Sequence, residues 1–309
     1  MARQRTRTAS VMRERFASLD WGSLGPLRIR SRLVAEGVYA GAHRSARRGS
    51  GIEFGGHRAY VPGDDLRWLD RHALLRHGRL LVRQFETETD RALRIVVDAT
   101  ASMGYRGNRA PGAKLAMAAL VGAALGRIAI ASGDPVGLSY IGGHEARPVP
   151  VAGGREGFER ILGSLEHVQP GGDAMAEDPM LDHALGVLSR AARRGSVIVV
   201  LSDLLDLPDD AADRFAALAS RGRSVVVVRL LDPDELDLPF EGTVRLRSLE
   251  GELLVETDTE ATRGEYIAAL EALERRFREH LLARGAHLVC ASTSEDPVAI
   301  VRSIVSTIR

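Results

Sequence analysis

Ser196-Val197-Ile198-Val199-Val200-Leu201-Ser202-Asp203 is a continuous, largely β-branched apolar run that stops on a carboxylate. A strand solvated on one face alternates apolar and polar residues. This run does not, so both of its faces must be covered. The same texture recurs at 93–98, which also ends in an aspartate, Asp98, and at 224–230; 134–141 and 286–291 are further strands. Helical segments fall between them, at 113–131, 156–165, 179–193, 211–220 and 297–308. Continuous apolar strands alternating with helices predict an α/β fold: a Rossmann-like, mostly parallel sheet with helices on both faces. With 309 residues and 45% apolar content, the chain can fill such a core.

The remaining organisation follows from composition shifts. Residues 1–90 read as a basic, irregular, partly β region with turn signals at 47–51, 54–56 and 61–65 and a strand at 80–85; residues 91–309 read as the α/β domain. Eleven arginines against three acids in the first fifty residues suggest a solvated arm. A segment at 146–151 returns antiparallel, and a hairpin is expected around 241–257. Thr262 and Glu265 have the capping-box spacing. Tyr266, Leu270, Leu273, Phe277 and Leu281 then share one helical stripe, which Gly285 is placed to end.

Composition narrows the function classes. The net charge of +1 does not mark the whole molecule as a nucleic-acid binder. Cys290 is the sole cysteine, so no internal disulfide forms; it reads as a small buried hydrophobe in a cytoplasmic protein. The longest apolar stretch, 113–131, is interrupted by Lys114 and Arg127 and reads as a core helix, so no membrane insertion is expected. His43, His57, His72 and His77 match no zinc spacing. Gly153-Gly154 and Gly171-Gly172 lack the Lys-Ser/Thr of a phosphate-binding loop.

The chemistry concentrates in Asp98-Ala99-Thr100-Ala101-Ser102. Three oxygen-bearing side chains alternate on a turn after a strand, and alternation can aim all three at one point. In parallel sheets, ligands bind beyond the carboxyl ends of the strands, where Asp203 also stands. Hard cations such as Mg²⁺ take oxygen ligands and retain waters, leaving a position that a partner's carboxylate can fill. Against this stand plainer readings: Asp98 and Ser102 as helix-capping turn residues, and Asp203 bonding its own backbone.

These residues resemble the metal-ion-dependent adhesion site of von Willebrand factor A domains. The flanks Gly51-x-Glu53-Phe54-x-x-x-Arg58-x-Tyr60-x-Pro62-Gly63-Asp64-Asp65-x-Arg67-x-x-Asp70, Val82–Glu88, Leu201–Asp206 and Leu231–Glu235 resemble a bacterial family called domain of unknown function 58, over roughly residues 40 to 300. The resemblance implies a von Willebrand A-like core, no enzymatic activity, and a MoxR-type AAA+ ATPase as protein partner in assembly or chaperone-like work. It implies Mg²⁺ held by Asp98, Thr100, Ser102 and Asp203. Asp173, in Pro170-Gly171-Gly172-Asp173, stands where the adhesion site takes a threonine; it either supplies a charged oxygen or marks a site that no longer holds metal. Arg71 stands where relatives carry tryptophan. Two other readings remain open: a Mg²⁺-dependent phosphatase of haloacid-dehalogenase type with Asp98 as nucleophile, and a metal-free scaffold.

Overall fold

The computed structural model describes residues 19–41, 53–59, 80–86, 91–173, 179–247, 249 and 254–308. In chain order these form α1 (Leu27–Gly41), β1 (Glu53–Ala59), β2 (Leu81–Glu86), β3 (Leu93–Asp98), a 3₁₀ turn (Ala101–Gly104), α2 (Lys114–Ala131), β4 (Val136–Ile141), β5 (Val149–Ala152), α3 (Gly154–His167) and α4 (Pro179–Ala191). Then follow β6 (Val197–Ser202), α5 (Ala211–Ala217), β7 (Ser224–Leu231), α6 (Pro233–Asp237), β8 (Thr243–Arg247), β9 (Leu254–Asp258), α7 (Thr259–Ala283), β10 (His287–Ser292) and α8 (Pro297–Thr307).

Six strands make one sheet in the order β10-β7-β6-β3-β4-β5. Every neighbouring pair is parallel except β4 with β5, the expected antiparallel return. The fold is therefore the α/β, mostly parallel sheet with helices on both faces that the apolar runs require. Alternate residues of each strand serve opposite layers. Ile95, Val97, Val199, Leu201, Val226 and Val228 join one buried cluster with α2, α3, α8 and α1. Val96, Ile198, Val200, Val225 and Val227 join another with α4, α5 and α7. Burial on both faces is why these strands carry no polar alternation.

Helix α2 is the centre of the first layer. Among the described residues it is the one helix apolar and long enough to cross a membrane, and most of it is buried inside the protein. β8 and β9 pair antiparallel as the expected hairpin, and β1 pairs with β2 as a separate two-stranded ribbon.

Two expectations change. Residues 27–41, taken as part of an irregular arm, form α1. Its buried Leu27, Ser31, Val34, Ala35 and Val38 recur at helical spacing and pack toward α2 and α8. Arg28, Arg30 and Arg32, at every second position, hide that stripe in the sequence. In the C-terminal helix, Thr262 is not the cap. α7 begins four residues earlier than such a cap would place it, with Asp258 as the cap, whose side chain accepts from Glu260 N at 3.1 Å. A carboxylate at the N-terminus satisfies an orphan amide and the helix dipole together. Asp258→Ala is expected to cost about 1 kcal/mol and Thr262→Ala clearly less, read as the difference between their urea midpoints; the reverse order would restore Thr262 as the cap.

The predicted stripe is present: Leu270, Phe277 and Leu281 are buried and Leu273 packs beside them. Phe277 meets Phe215 with ring centroids 6.3 Å apart. Cys290 lies half-buried on β10 as a free thiol, and burial pushes its pKa up. The segment 60–79, with Pro62 to Asp70, His72 and His77, lies outside the described residues, as do His43 and the side chain of His57.

Candidate functional site

β3 and β6 are adjacent and in register, Val97 opposite Leu201. Their carboxyl ends therefore bring Asp98 beside Ser202 and place Asp203 one residue beyond. After Asp98 the chain turns through Ala99 and Thr100 into the 3₁₀ turn holding Ser102. The loop carrying Asp173 is bound across this turn: Gly171 N donates to Ala99 O at 2.8 Å and Ala101 N to Gly172 O at 3.1 Å. Gly142 permits that approach. Its φ is +65°, and a Cβ there would lie 2.9 Å from Gly171 O. All five sequence-predicted residues thus lie on loops at one edge of the sheet.

Asp98, Thr100, Ser102 and Asp203 are buried. Asp98 Oδ1 accepts from Thr100 N at 3.0 Å and Thr100 Oγ1 at 2.7 Å; Oδ2 accepts from Ser202 Oγ at 2.6 Å. Thr100 Oγ1 and Ser102 Oγ lie 3.1 Å apart, so the two hydroxyls share one locality. Asp203 Oδ1 accepts from Leu205 N at 2.9 Å, the local bond expected of a loop aspartate. Its other oxygen has a different partner.

That partner is Lys114, at the start of α2. Its ammonium has no exposed surface and donates to Asp203 Oδ2 at 2.7 Å and Glu235 Oε1 at 2.5 Å. It also lies 5.8 Å from the centre of the Tyr105 ring. Burial disfavours its charge, but the Asp203 and Glu235 carboxylates outweigh that and hold its pKa above the usual lysine value. Glu235 sits in α6, where its Oε2 accepts from Asp232 N and Asp232 accepts from Asp234 N, a reciprocal cap. The 106–110 loop docks on the same turn. Gly107 N donates to Asp232 and Asn108 N to Asp234, while Arg109 pairs with Asp234 and Asp237.

The charge count in the pocket is uneven. Asp98 and Asp203 are fully buried carboxylates and Glu235 a partly buried one, and Lys114 is the ammonium that two of them touch. When all three are ionised, two negative charges are left over against Lys114. Asp98 registers the excess: burial, then the Asp203 charge, push its carboxyl up to about 7 against the three hydrogen bonds it accepts. Nearby Asp206 is raised by burial and by Asp203 and Asp173, which sets all three carboxylates in one field. A cluster of hard oxygens with two uncompensated negative charges fits a divalent cation such as Mg²⁺. Among the described residues no three Asp, Glu, His or Cys side chains form a metal-ligand group, so a cation here would rely on the Thr100 and Ser102 hydroxyls beside Asp98 and Asp203, with Asp173 on the facing loop. The ion would neutralise the pocket and offer a Lewis-acidic position to an incoming carboxylate.

Lys114, Ser202 and Glu235 escaped the sequence reading. One signal was available: Lys114 is the sole lysine among 42 basic residues, so arginine did not replace it there. A compact ammonium fits between two carboxylates in a space that a planar guanidinium would not.

A family model described as "Protein of unknown function DUF58" matches residues 56–276. Uncharacterized proteins of Mycobacterium bovis and Mycobacterium tuberculosis are each 28% identical over 286 residues, which cover 92% of this chain and 88% of theirs. Among solved structures, a conserved hypothetical protein BatB from Bacteroides thetaiotaomicron aligns with 71% of this chain and 98% of its own at 18% identity and a TM-score of 0.45. An aerotolerance-related membrane protein from Bacteroides fragilis aligns over the same shares at 16% identity and a TM-score of 0.44.

Proposed function

The chain belongs to the family described as protein of unknown function DUF58, and from that premise we propose that it is a non-enzymatic protein-interaction module whose docking depends on Mg²⁺. The observation that carries this reading is the buried grouping of Asp98, Thr100, Ser102 and Asp203 with its surplus of two negative charges. In this reading Mg²⁺ sits among those four residues, with Asp173 able to add an oxygen. A Glu or Asp of the partner completes the coordination, so docking is lost when the metal is removed. By its resemblance to the family, the partner is a MoxR-type AAA+ ATPase and the work is assembly or chaperone-like; the single cysteine suits a cytoplasmic setting.

The test is calorimetric titration of the purified protein with Mg²⁺ and Mn²⁺, wild type beside Asp98→Ala. Saturable binding that disappears in the variant is the expected result. Absence of binding to the wild type, at a pH well above 7 where Asp98 is ionised, would leave a metal-free scaffold.

One observation bears on the second reading, a haloacid-dehalogenase-type phosphatase. Such an enzyme needs a basic group near its aspartate nucleophile, and Lys114 lies next to Asp203. Thr100 stands where that class places its acid, which favours the interaction module. Hydrolysis of p-nitrophenyl phosphate that requires Mg²⁺ and is abolished in Asp98→Asn would reverse the preference.

A further inference from the structure

The opposite edge of the sheet, where the parallel strands begin, carries the reverse charge. It lies about 20 Å from Asp98, the length of a six-residue strand. Three segments meet there. Val197 N donates to Ala92 O at 3.0 Å, Gly195 N to Gly222 O at 3.0 Å, and Ser224 N to Ser196 O at 3.0 Å. Residues 91–97, 189–197 and 217–225 contain no acidic residue and no aromatic one and supply Arg94, Arg190, Arg193, Arg194, Arg221 and Arg223; Glu88 and Asp90, just before them in the chain, lie outside the described residues. Arg91, to one side, faces Asp134.

The arginines are built into the edge. Arg223 is only 6% exposed; its Nη2 donates to Ser189 O at 2.8 Å, while its Nε and Nη1 are buried without a partner. Arg94 Nη2 donates to Ala191 O at 2.5 Å and its buried Nε has none. Arg194 lies across Gly222, where an added Cβ would be 3.3 Å from its Cγ. Among the described residues no ion pair joins Arg94, Arg194, Arg221 or Arg223 to a carboxylate. Burial, then Arg223 and Arg193, lower the Arg94 pKa; burial, then Arg221, lower that of Arg223. Like charges held together under desolvation are a standing cost that an anion placed over them lowers through its field.

We propose that this edge is a second docking surface, separate from the metal site, and that it takes an acidic segment of a protein partner. The exposed Arg194 and Arg221 grip its carboxylates, the planar fork matching two oxygens at once. Arg94 and Arg223 beneath them supply a fixed positive potential. A single-stranded nucleic acid is the poorer fit. The three segments offer no aromatic side chain for base stacking, and the net charge of +1 leaves the patch local.

The test uses the full chain and a fluorescein-labelled hexaglutamate peptide, read by fluorescence anisotropy in EDTA so that carboxylate capture at a metal cannot contribute. Saturable binding that weakens with salt is expected, with at least about a tenfold loss of affinity in Arg194→Glu/Arg221→Glu. Arg30→Glu, an exposed change near the start of α1, just after the turn where Ser23 N bonds Pro111 O and so on the far side of the sheet from this edge, should bind as wild type. If the double variant does not fold, the single Arg194→Gln change carries the test, with a severalfold loss expected. No saturable binding, an unchanged affinity in the folded variant, or tighter binding of an oligothymidylate of equal charge would each overturn the proposal. Because EDTA is present throughout, failure here leaves the metal-dependent reading standing, and the converse also holds.

Discussion

Replacing Lys114 by methionine is expected to destabilise the protein by about 3–5 kcal/mol, the usual result of removing one partner from a buried ion pair. Methionine keeps the length and the apolar stem, so little packing is lost. The ammonium is lost, and with it, among the described residues, the positive charge in contact with Asp203 and Glu235. Both carboxylates then remain at the carboxyl edge of the sheet with their mutual repulsion uncompensated. Glu235 already carries a raised pKa from burial, held down in part by Lys114. A second change, Glu235→Gln, should recover part of the loss, because one orphaned charge is gone; the two substitutions would then be clearly non-additive. Urea unfolding of wild type, single and double variants reads all three numbers. The pH dependence has a definite sign. The folded-state lysine pKa is raised, so its stabilisation is complete below the ordinary lysine value and is lost only as pH climbs through the higher folded value. Between pH 6 and 9 the penalty should therefore be flat as far as Lys114 is concerned. A loss under about 1 kcal/mol, typical of an exposed pair, would mean that the ammonium is solvated and not the internal counter-charge described above.

Asp98→Asn should act in the opposite direction, stabilising the metal-free protein at pH 8 by up to a few kcal/mol. Asp98 is raised in the folded state from an unfolded value of 3.8 to about 7. Its contribution is favourable while protonated, fully present below pH 4, and lost as pH rises through 7. The wild type should accordingly lose stability across pH 4 to 7, and the asparagine variant, which does not titrate, should lose less. Asparagine retains an acceptor for Thr100 N and Oγ1; only the Ser202 bond must reverse its polarity. Mg²⁺ should erase the difference by stabilising wild type alone, since ligand binding to the folded state adds directly to its stability. Thermal melts of both proteins at pH 5 and pH 8, with and without Mg²⁺, give the comparison. Parallel pH profiles for the two proteins would show that Asp98 is ionised at no cost, and would remove the surplus-charge argument for a cation.

The two outcomes together describe a pocket in which stability is given up locally. Lys114 offsets part of the buried negative charge and leaves the rest unneutralised. A pocket neutral without metal would gain little from one. In this arrangement an ionised Asp98 is costly, and under the proposed Mg²⁺ reading that cost is what a bound cation would relieve.

The sequence by itself determined the sheet and the edge at which the chemistry lies. Runs such as 197–202, apolar at every position, are stable only with both faces covered, so parallel strands between two helical layers followed from local residue choice. Because Asp98 and Asp203 each follow such a run, their convergence at one edge followed as well. The start of α7 was misread because Asp258 and Thr262 both carry capping chemistry, and the choice fell to where the β8–β9 hairpin delivers the chain. α1 was missed because its apolar stripe is interleaved with Arg28, Arg30 and Arg32; the partners of Arg28, Glu159 and Glu166, lie more than a hundred residues away, and Arg32 pairs with Glu36 inside the helix. Lys114, in an alanine-rich helix, gives no local sign of its role. Only the packing of α2 against the ends of β6 and β7 sets its ammonium between Asp203 and Glu235. The same holds for the arginine edge, assembled from three segments far apart in sequence. Secondary structure rests on short-range periodicity and burial, which neighbours in the chain record. Charge balance in a pocket depends on residues brought together across 89 and 121 positions, and only the tertiary fold sets those distances.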